Sequence, residues 1–294
     1  MMDNRKRNFI LMVMTVLVLL SSIFLAKDPL EAKVKATWLW DSARIKDERD
    51  RILSFAGENE VNLIYLHIDQ KQDFNDYRVF IKEASLSGIH VHALGGDPSW
   101  ATEVNQTHIA ELVNWIEQYN RNVSKGERFK GIHLDIEPYN QDAWETNQRQ
   151  TIIDGWMASM EYFQTLTKDL KQIETGADLP YWLDEIPISQ QQDAPSMSRW
   201  MIERLDHVTL MAYRDEGIVK LVQEEIEIAN ELNKKVIIGI ETNPMKEKYT
   251  TFYGRSIPYK QAQLEVIESS LKDQTSYYGI AIHDYEGWTQ LTLR

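Results

Sequence analysis

The sequence predicts an α/β fold, a (β/α)8 TIM barrel whose last helix is missing or vestigial. Three observations predict it. Short apolar, β-rich runs recur eight times, amphipathic segments separate them, and acidic residues gather at the C-terminal end of each run. Strands alternating with helices indicate parallel βαβ units. Eight such units in roughly 250 residues suit a closed barrel better than an open doubly wound sheet.

In order, the runs are Ala36–Trp40, Val61–Ile68, Ile89–Leu94, Gly131–Ile136, Tyr181–Leu183, His207–Tyr213, Lys235–Ile240 and Tyr278–Ile282. The fifth is very short and directly follows Pro180. Helical patterns lie between them. In Ile45–Phe55, the apolar Ile45, Ile52, Leu53 and Phe55 cluster among charged residues. Ile109–Trp115, Ile152–Leu170 and Val219–Leu232 show the same 3.6-residue recurrence. Few residues follow the eighth run, which leaves little room for a last helix. No internal repeat, Pro-rich linker or low-complexity stretch divides the chain, so one domain is expected over residues 34–294.

Residues 1–26 stand apart. Arg5, Lys6 and Arg7 precede an apolar run, Phe9–Ala26, broken only by Thr15, Ser21 and Ser22. This is the pattern of a signal peptide or an N-terminal membrane anchor, with Val34-Lys35-Ala36 as a small-residue cleavage candidate. The positive flank is expected to stay in the cytoplasm while the rest is exported, either secreted or anchored at the outer face of the membrane. The chain has no cysteine, which excludes disulfides, thiolate chemistry and Cys-ligated zinc. An exported chain without disulfides suits a bacterial surface. The formal net charge of -13 argues against nucleic acid as a partner, because phosphate binding needs basic patches.

The ends of the runs carry the candidate chemistry. They read Trp40-Asp41, His67-Ile-Asp69, Gly95-Gly-Asp97-Pro-Ser-Trp100, Asp135-Ile-Glu137, Asp184-Glu185, Tyr213-Arg214-Asp215, Glu241-Thr-Asn243 and His283-Asp284-Tyr285. Barrel enzymes place their active sites at this end of the strands. A single acid there would be an ordinary helix cap, and Asp41 and Asp215 remain open to that reading. Acids at all eight ends, with Trp and His among them, point to a site.

The fourth run continues as Gly131-Ile-His-Leu-Asp-Ile-Glu-Pro-Tyr139. Strand alternation puts His133, Asp135 and Glu137 on one face and Ile132, Leu134 and Ile136 on the other. Carboxylates buried without partners are expensive, and three readings account for them. The first is a structural polar core. The second is a metal site drawn from His67, His90, His92, His133, Asp135 and His283, although no HExxH-type motif is present. The third is acid/base work on a glycosidic bond, with Glu137 at the strand's mouth and Asp135 one same-face step deeper. Two coupled carboxyls push their apparent pKa values apart, which a general acid requires. Trp40, Trp100, Trp182 and Trp288 lie at or near strand ends, where flat rings cover sugar faces; core packing is the alternative for each.

Lys130-Gly131-Ile132-His133-Leu134-Asp135-Ile136-Glu137 resembles the D-G-x-D-x-D-x-E strand of family-18 glycoside hydrolases, the chitinase-like barrels. The glycine, the last Asp and the Glu are kept, while Lys130 and His133 replace the first two acids. Met211-Ala-Tyr213-Arg214 is similar to that family's sixth-strand Met-x-Tyr-Asp, with Arg214 in place of the acid. The family's eighth-strand Trp is unmatched, since His283 or Asp284 falls there. The resemblance implies Glu137 as general acid, Asp135 orienting a substrate acetamido group, and Tyr213 holding its carbonyl. Ile136-Glu137-Pro138 also resembles the Asn-Glu-Pro of the large clan of retaining barrel glycosidases. That resemblance implies a seventh-strand nucleophile, here Glu241, about 5–5.5 Å from the acid.

The resulting expectation is an exported glycoside hydrolase-like barrel acting on a polysaccharide or oligosaccharide, an amino-sugar polymer of a cell envelope among them. Glu137, Asp135, Tyr213 and Glu241 are the catalytic candidates. Trp40, Asp69, Asp97, Trp100, His133, Asp184, Arg214, His283, Asp284 and Trp288 are the substrate-binding candidates. No cofactor and no metal ligand are assigned. A non-catalytic carbohydrate-binding barrel and a metal-dependent hydrolase are the alternatives.

Overall fold

Eight parallel strands pair in sequence order and close on themselves, β1 against β8. The computed structural model describes residues 33–104 and 106–292, so the expected export segment, residues 1–26, lies outside the described residues. The strands are β1 (Val34–Leu39), β2 (Leu63–His67), β3 (His90–Gly95), β4 (Gly131–Leu134), β5 (Glu174–Pro180), β6 (His207–Met211), β7 (Lys235–Glu241) and β8 (Tyr277–His283). The helices are α1 (Arg44–Asp47), α2 (Arg49–Glu58), α3 (Phe74–Leu86), α4 (Thr107–Asn122), α5 (Arg149–Thr167), α6 (Met197–Arg204), α7 (Ile218–Leu221), α8 (Gln223–Leu232), α9 (Ile257–Leu271) and α10 (Tyr285–Thr292). Among the described residues, no helix is long and apolar enough to cross a membrane.

Two periodicities build the layers. Outward-facing Ile132, Leu134 and Ile136 of the fourth stave are buried against the helices. The helices answer with apolar stripes. Asp73 caps α3 by accepting from the Asn75 amide, and the helix then buries Tyr77, Phe80, Ile81 and Ala84 on one face. The barrel interior is unusually polar. Tyr65, His92, His133, His207 and Thr209 are all buried there, with the Tyr65 ring stacked on His133 at 3.9 Å and its hydroxyl 2.8 Å from Thr209 Oγ1. Glycine makes room for these rings. A Cβ on Gly131 would lie 2.5 Å from His92 Nδ1, and one on Gly176 would meet both His207 and His133.

Two expectations are corrected. The fifth strand is not Tyr181–Leu183 but Glu174–Pro180. Gly176, Asp178 and Pro180 are residue types that strands disfavour, so local propensity hid this one. They sit on its inner face, where His133 aligns with Gly176 and Pro180 aligns with Met211. The cleavage candidate Val34-Lys35-Ala36 lies inside β1, where Val34 and Ala36 are buried and pair with β8. A cut there would remove half of a barrel stave. The last helix is vestigial, as the sequence predicts: α10 has eight residues and packs on β1 and β8.

Candidate active site at the barrel mouth

Glu137 follows β4 and is half-buried, with both oxygens engaged. The Tyr139 hydroxyl donates to Oε1 at 2.7 Å and Asn140 Nδ2 donates to Oε2 at 2.6 Å. Tyr139 is itself wedged edge-on against Trp182, with ring centres 5.0 Å apart. The turn after Pro138 therefore fixes the orientation of the carboxylate.

One same-face step deeper, Asp135 is half-buried and its Oδ1 finds no hydrogen-bond partner among the described residues. Burial pushes its carboxyl well above the ordinary range, and the nearby Asp178 and Glu137 carboxylates push it further. Asp178, on the inner face of β5, is buried as well. Its Oδ2 accepts from the Trp38 indole at 2.9 Å, and its Oδ1 lies 3.0 Å from His133 Nε2. Burial raises Asp178 well above its ordinary value, with Glu137 adding to the effect and the Trp38 donor opposing it.

Across the mouth, Tyr213 follows β6. Its hydroxyl is raised well above the usual phenol by burial and by the carboxylates of Glu241, Asp178, Asp135 and Glu137. One phenol thus senses all four acids. His283, ending β8, packs its ring 5.9 Å from that of Tyr213. Its Nδ1 lies 2.9 Å from Glu241 Oε2, and its Nε2 accepts from the Trp40 indole at 3.1 Å. Burial pulls His283 down, but Glu241, Asp284 and Asp178 outweigh it and leave the imidazole above its ordinary value. Glu241 is buried and saturated: Oε1 accepts from the Thr242 and Asn243 amides at 2.7 Å each and from Asn243 Nδ2 at 3.1 Å. Arg214 borders the mouth, donating to the Tyr181 hydroxyl at 2.6 Å beneath the Tyr249 ring.

The structure thus groups Asp135, Glu137, Tyr213, Glu241, His283, Trp40 and Arg214. His133 sits one layer lower, buried in the interior, with its Nε2 3.0 Å from Asp178 Oδ1. Asp69 and Asp97 are exposed turn formers, accepting from the Lys71 and Ser99 amides. Trp100 stacks on His108 of α4 at 5.8 Å. Asp184 acts electrostatically on Glu224 and Glu225 of α8. Asp284 caps α10 through the Gly287 amide and also accepts from Asn243. Trp288 is buried in the outer layer against Phe55, beneath Lys260. For these last residues local caps and core packing account for the side chains, and the structure does not draw them into the group at the mouth. The residues of the alternative metal reading do not converge: among the described residues, no group of three or more His, Asp or Glu is placed to hold an ion.

Asp178, Trp38, Tyr139 and Asn140 were missed. Trp38 was recoverable, because alternation puts it on the same face as Trp40. Asp178 was hidden by the misplaced fifth strand.

No protein-family model matches the chain, and no curated protein matches it. Among solved structures it is similar to the spore cortex-lytic enzyme SleL of Bacillus megaterium QM B1551, at 12% identity and a TM-score of 0.52, over 88% of this chain and 73% of that one. It is also similar to a chitinase from Bacteroides thetaiotaomicron, at 11% identity and a TM-score of 0.49, over 87% and 90%. A family-18 N-acetylglucosaminidase from Paenibacillus barengoltzii is similar at 11% identity and 0.48, over 87% and 96%. At these identities the likeness is one of fold.

Proposed function

We propose that this barrel hydrolyses a glycosidic bond in a polysaccharide, with an amino-sugar polymer of a cell envelope as the favoured substrate. The observation that carries the reading is the convergence of Asp135, Glu137 and Asp178 with the Tyr213 hydroxyl at the strand ends. Such a bond breaks when an acid protonates the leaving oxygen while a second group stabilises the oxocarbenium-like centre. Glu137 is the acid, since it stands outermost with its orientation fixed by Tyr139 and Asn140. Asp135 and Tyr213 face the space where the sugar's substituent would lie. Trp40 and Trp182 offer half-buried aromatic faces for pyranose rings. The fold likeness to a spore cortex-lytic enzyme supports a cell-wall glycan as substrate. The Arg5–Arg7 cluster and the Phe9–Ala26 run support export, with the segment either removed or kept as an anchor.

Glu241 favours the substrate-assisted mechanism over the covalent one. Its carboxylate already accepts from three nitrogens and contacts the His283 ring, so it is poorly disposed to attack an anomeric carbon. The test is to incubate the purified chain with N-acetylglucosamine oligomers and with cell-wall glycan, counting the reducing ends released. Release supports the reading. Tight binding by calorimetry with no new reducing ends would instead identify a non-catalytic carbohydrate-binding barrel.

A further inference from the structure

The sixth strand runs into a base where the resembled motif ends in an acid. Arg214 is half-buried, and two of its five guanidinium donors are spent: Nη1 donates to the Tyr213 carbonyl at 3.0 Å and Nη2 to the Tyr181 hydroxyl at 2.6 Å. The ring centres of Tyr181 and Tyr249 lie 5.2 and 5.0 Å from its guanidinium carbon. No carboxylate answers the charge. Among the described arginines only Arg128 and Arg214 form no ion pair. Arg128 precedes β4, at the opposite end of the barrel. The residue after Arg214, Asp215, is buried and already paired with Arg255.

A half-desolvated guanidinium without a counter-charge is costly, and two tyrosine rings replace water only in part. Its contacts tie it to the acid of the mouth. Tyr181, which it holds, immediately precedes Trp182, and Trp182 packs against Tyr139, the donor to Glu137 Oε1. Next along the chain, the Asp215 amide donates to the Tyr249 carbonyl at 2.9 Å and so fixes the loop that carries that ring. Tyr249 is 53% exposed, and with Glu216, Arg255 and Tyr259 it lines a cavity of about 530 Å³. That volume suits a small-molecule ligand. Arg255 is neutralised there by Asp215, whereas Arg214 is not neutralised.

We propose that Arg214 is a specificity-determining residue: it reads a carboxylate carried by a sugar of the substrate, so the glycan taken at the mouth is an anionic one. A guanidinium offers a planar fork of N–H donors that matches a carboxylate, and Tyr213 and Tyr181 leave part of this fork open. The chain as a whole is acidic, with a formal net charge of -13, so a polyanion is not gathered by the overall field and has to be recognised locally. Two sugar carboxylates share this chemistry, the carboxyl of a uronic acid and the lactyl ether of a muramic acid. The substrate class rests on the glycosidase reading; the binding preference does not.

Paired glycans test it. One pair is peptide-free cell-wall strands, alternating N-acetylglucosamine and N-acetylmuramic acid, and the same strands with the carboxyl reduced to an alcohol. The other is an oligomer of alternating N-acetylglucosamine and glucuronic acid and its carboxyl-reduced form. By calorimetry the purified full-length chain is expected to bind one acid form at least about tenfold more tightly than its reduced partner, the scale of a hydrogen bond to a charged group. The pair that shows the difference identifies the source of the carboxylate. In Arg214→Gln the ratio falls to within about twofold of unity, while Arg214→Lys retains part of it as a point charge. A purely structural Arg214 would weaken acid and reduced forms alike and leave the ratio unmoved. Where the strands are cleaved, the preference appears in KM more than in kcat. Equal affinity for acid and reduced forms in both pairs, no binding of any form, or a ratio that survives Arg214→Gln overturns the inference. Reducing ends released without preference sink the inference and keep the glycosidase reading; a preference without reducing ends does the reverse.

Discussion

Glu241 Oε2 lies 2.9 Å from His283 Nδ1, and the other nitrogen of that ring accepts from Trp40 at 3.1 Å. The order of donors fixes the tautomer. Trp40 can only donate, so Nε2 offers its lone pair and Nδ1–H points at Glu241. The seventh-strand acid is therefore a support for the eighth-strand histidine, which in turn holds a tryptophan at the rim. In the proposed mechanism Glu241 works behind the site, and Asp135 within it.

That division predicts unequal losses. Asp135→Asn is expected to lower kcat by about 100-fold or more, within the range for acid/base groups. Glu241→Gln is expected to lower kcat by less than about tenfold and to destabilise the fold by about 1–3 kcal/mol, from a disturbed buried acceptor. Steady-state rates on N-acetylglucosamine oligomers, paired with urea denaturation, measure both. A collapse of kcat in Glu241→Gln alone would favour the covalent mechanism.

The period of two made much of this legible. Alternation in Gly131–Glu137 put apolar residues against the helices and acids toward the mouth, and the structure agrees. Caps were not legible. Asp69, Asp97 and Asp284 occupy the same kind of position as Glu137, and only the loop path decides whether such a carboxylate turns back to an amide or faces the mouth. β5 was illegible for a different reason. Its inner face meets histidine rings, so it carries glycine and aspartate where propensity asks for β-branched residues.

Gly176→Ala tests that packing. The added methyl meets the His207 and His133 rings at once, and neither can leave a filled interior. The expected loss is about 1–3 kcal/mol of stability by urea denaturation. An unchanged midpoint would mean that the interior is looser than its ring contacts indicate.

The buried imidazoles give an acid limb. Burial holds His92 and His207 well below the ordinary value and His133 at about 3. Below about pH 6.5 the unfolded chain takes up protons that the folded one refuses, so stability is lost as pH falls through that window, by about 1.4 kcal/mol per unit for each ring. The raised Asp135 and Asp178 carboxyls act in the opposite sense, so the difference between variant and parent is the quantity to follow. His207→Phe, which keeps the ring, is expected to flatten the limb by one such share. Denaturation midpoints at about pH 5 and pH 7 measure it.

Glu225 carries the reverse sign. It is buried on α8 and accepts from Ser198 at 3.0 Å; burial, with Asp184 adding, raises it to about 8. The folded state keeps a proton that the unfolded carboxyl sheds above about 4.5, so the contribution is intact at low pH and is lost as pH rises toward 8. Glu225→Gln keeps the acceptor and removes the titration. It is expected to stabilise the chain by about 1–3 kcal/mol at pH 8 and to change little at pH 4, as denaturation at the two values would show.

The central claim is that Glu137 protonates the leaving oxygen, and leaving-group dependence tests it most directly. Glu137→Gln is to be compared with the parent on an N-acetylglucosamine oligomer and on its dinitrophenyl glycoside, whose leaving group departs without help. The prediction is a loss of about 10²–10⁴-fold on the oligomer and a far smaller loss on the dinitrophenyl glycoside. Equal losses on both, or a variant within about twofold of the parent on the oligomer, would contradict it.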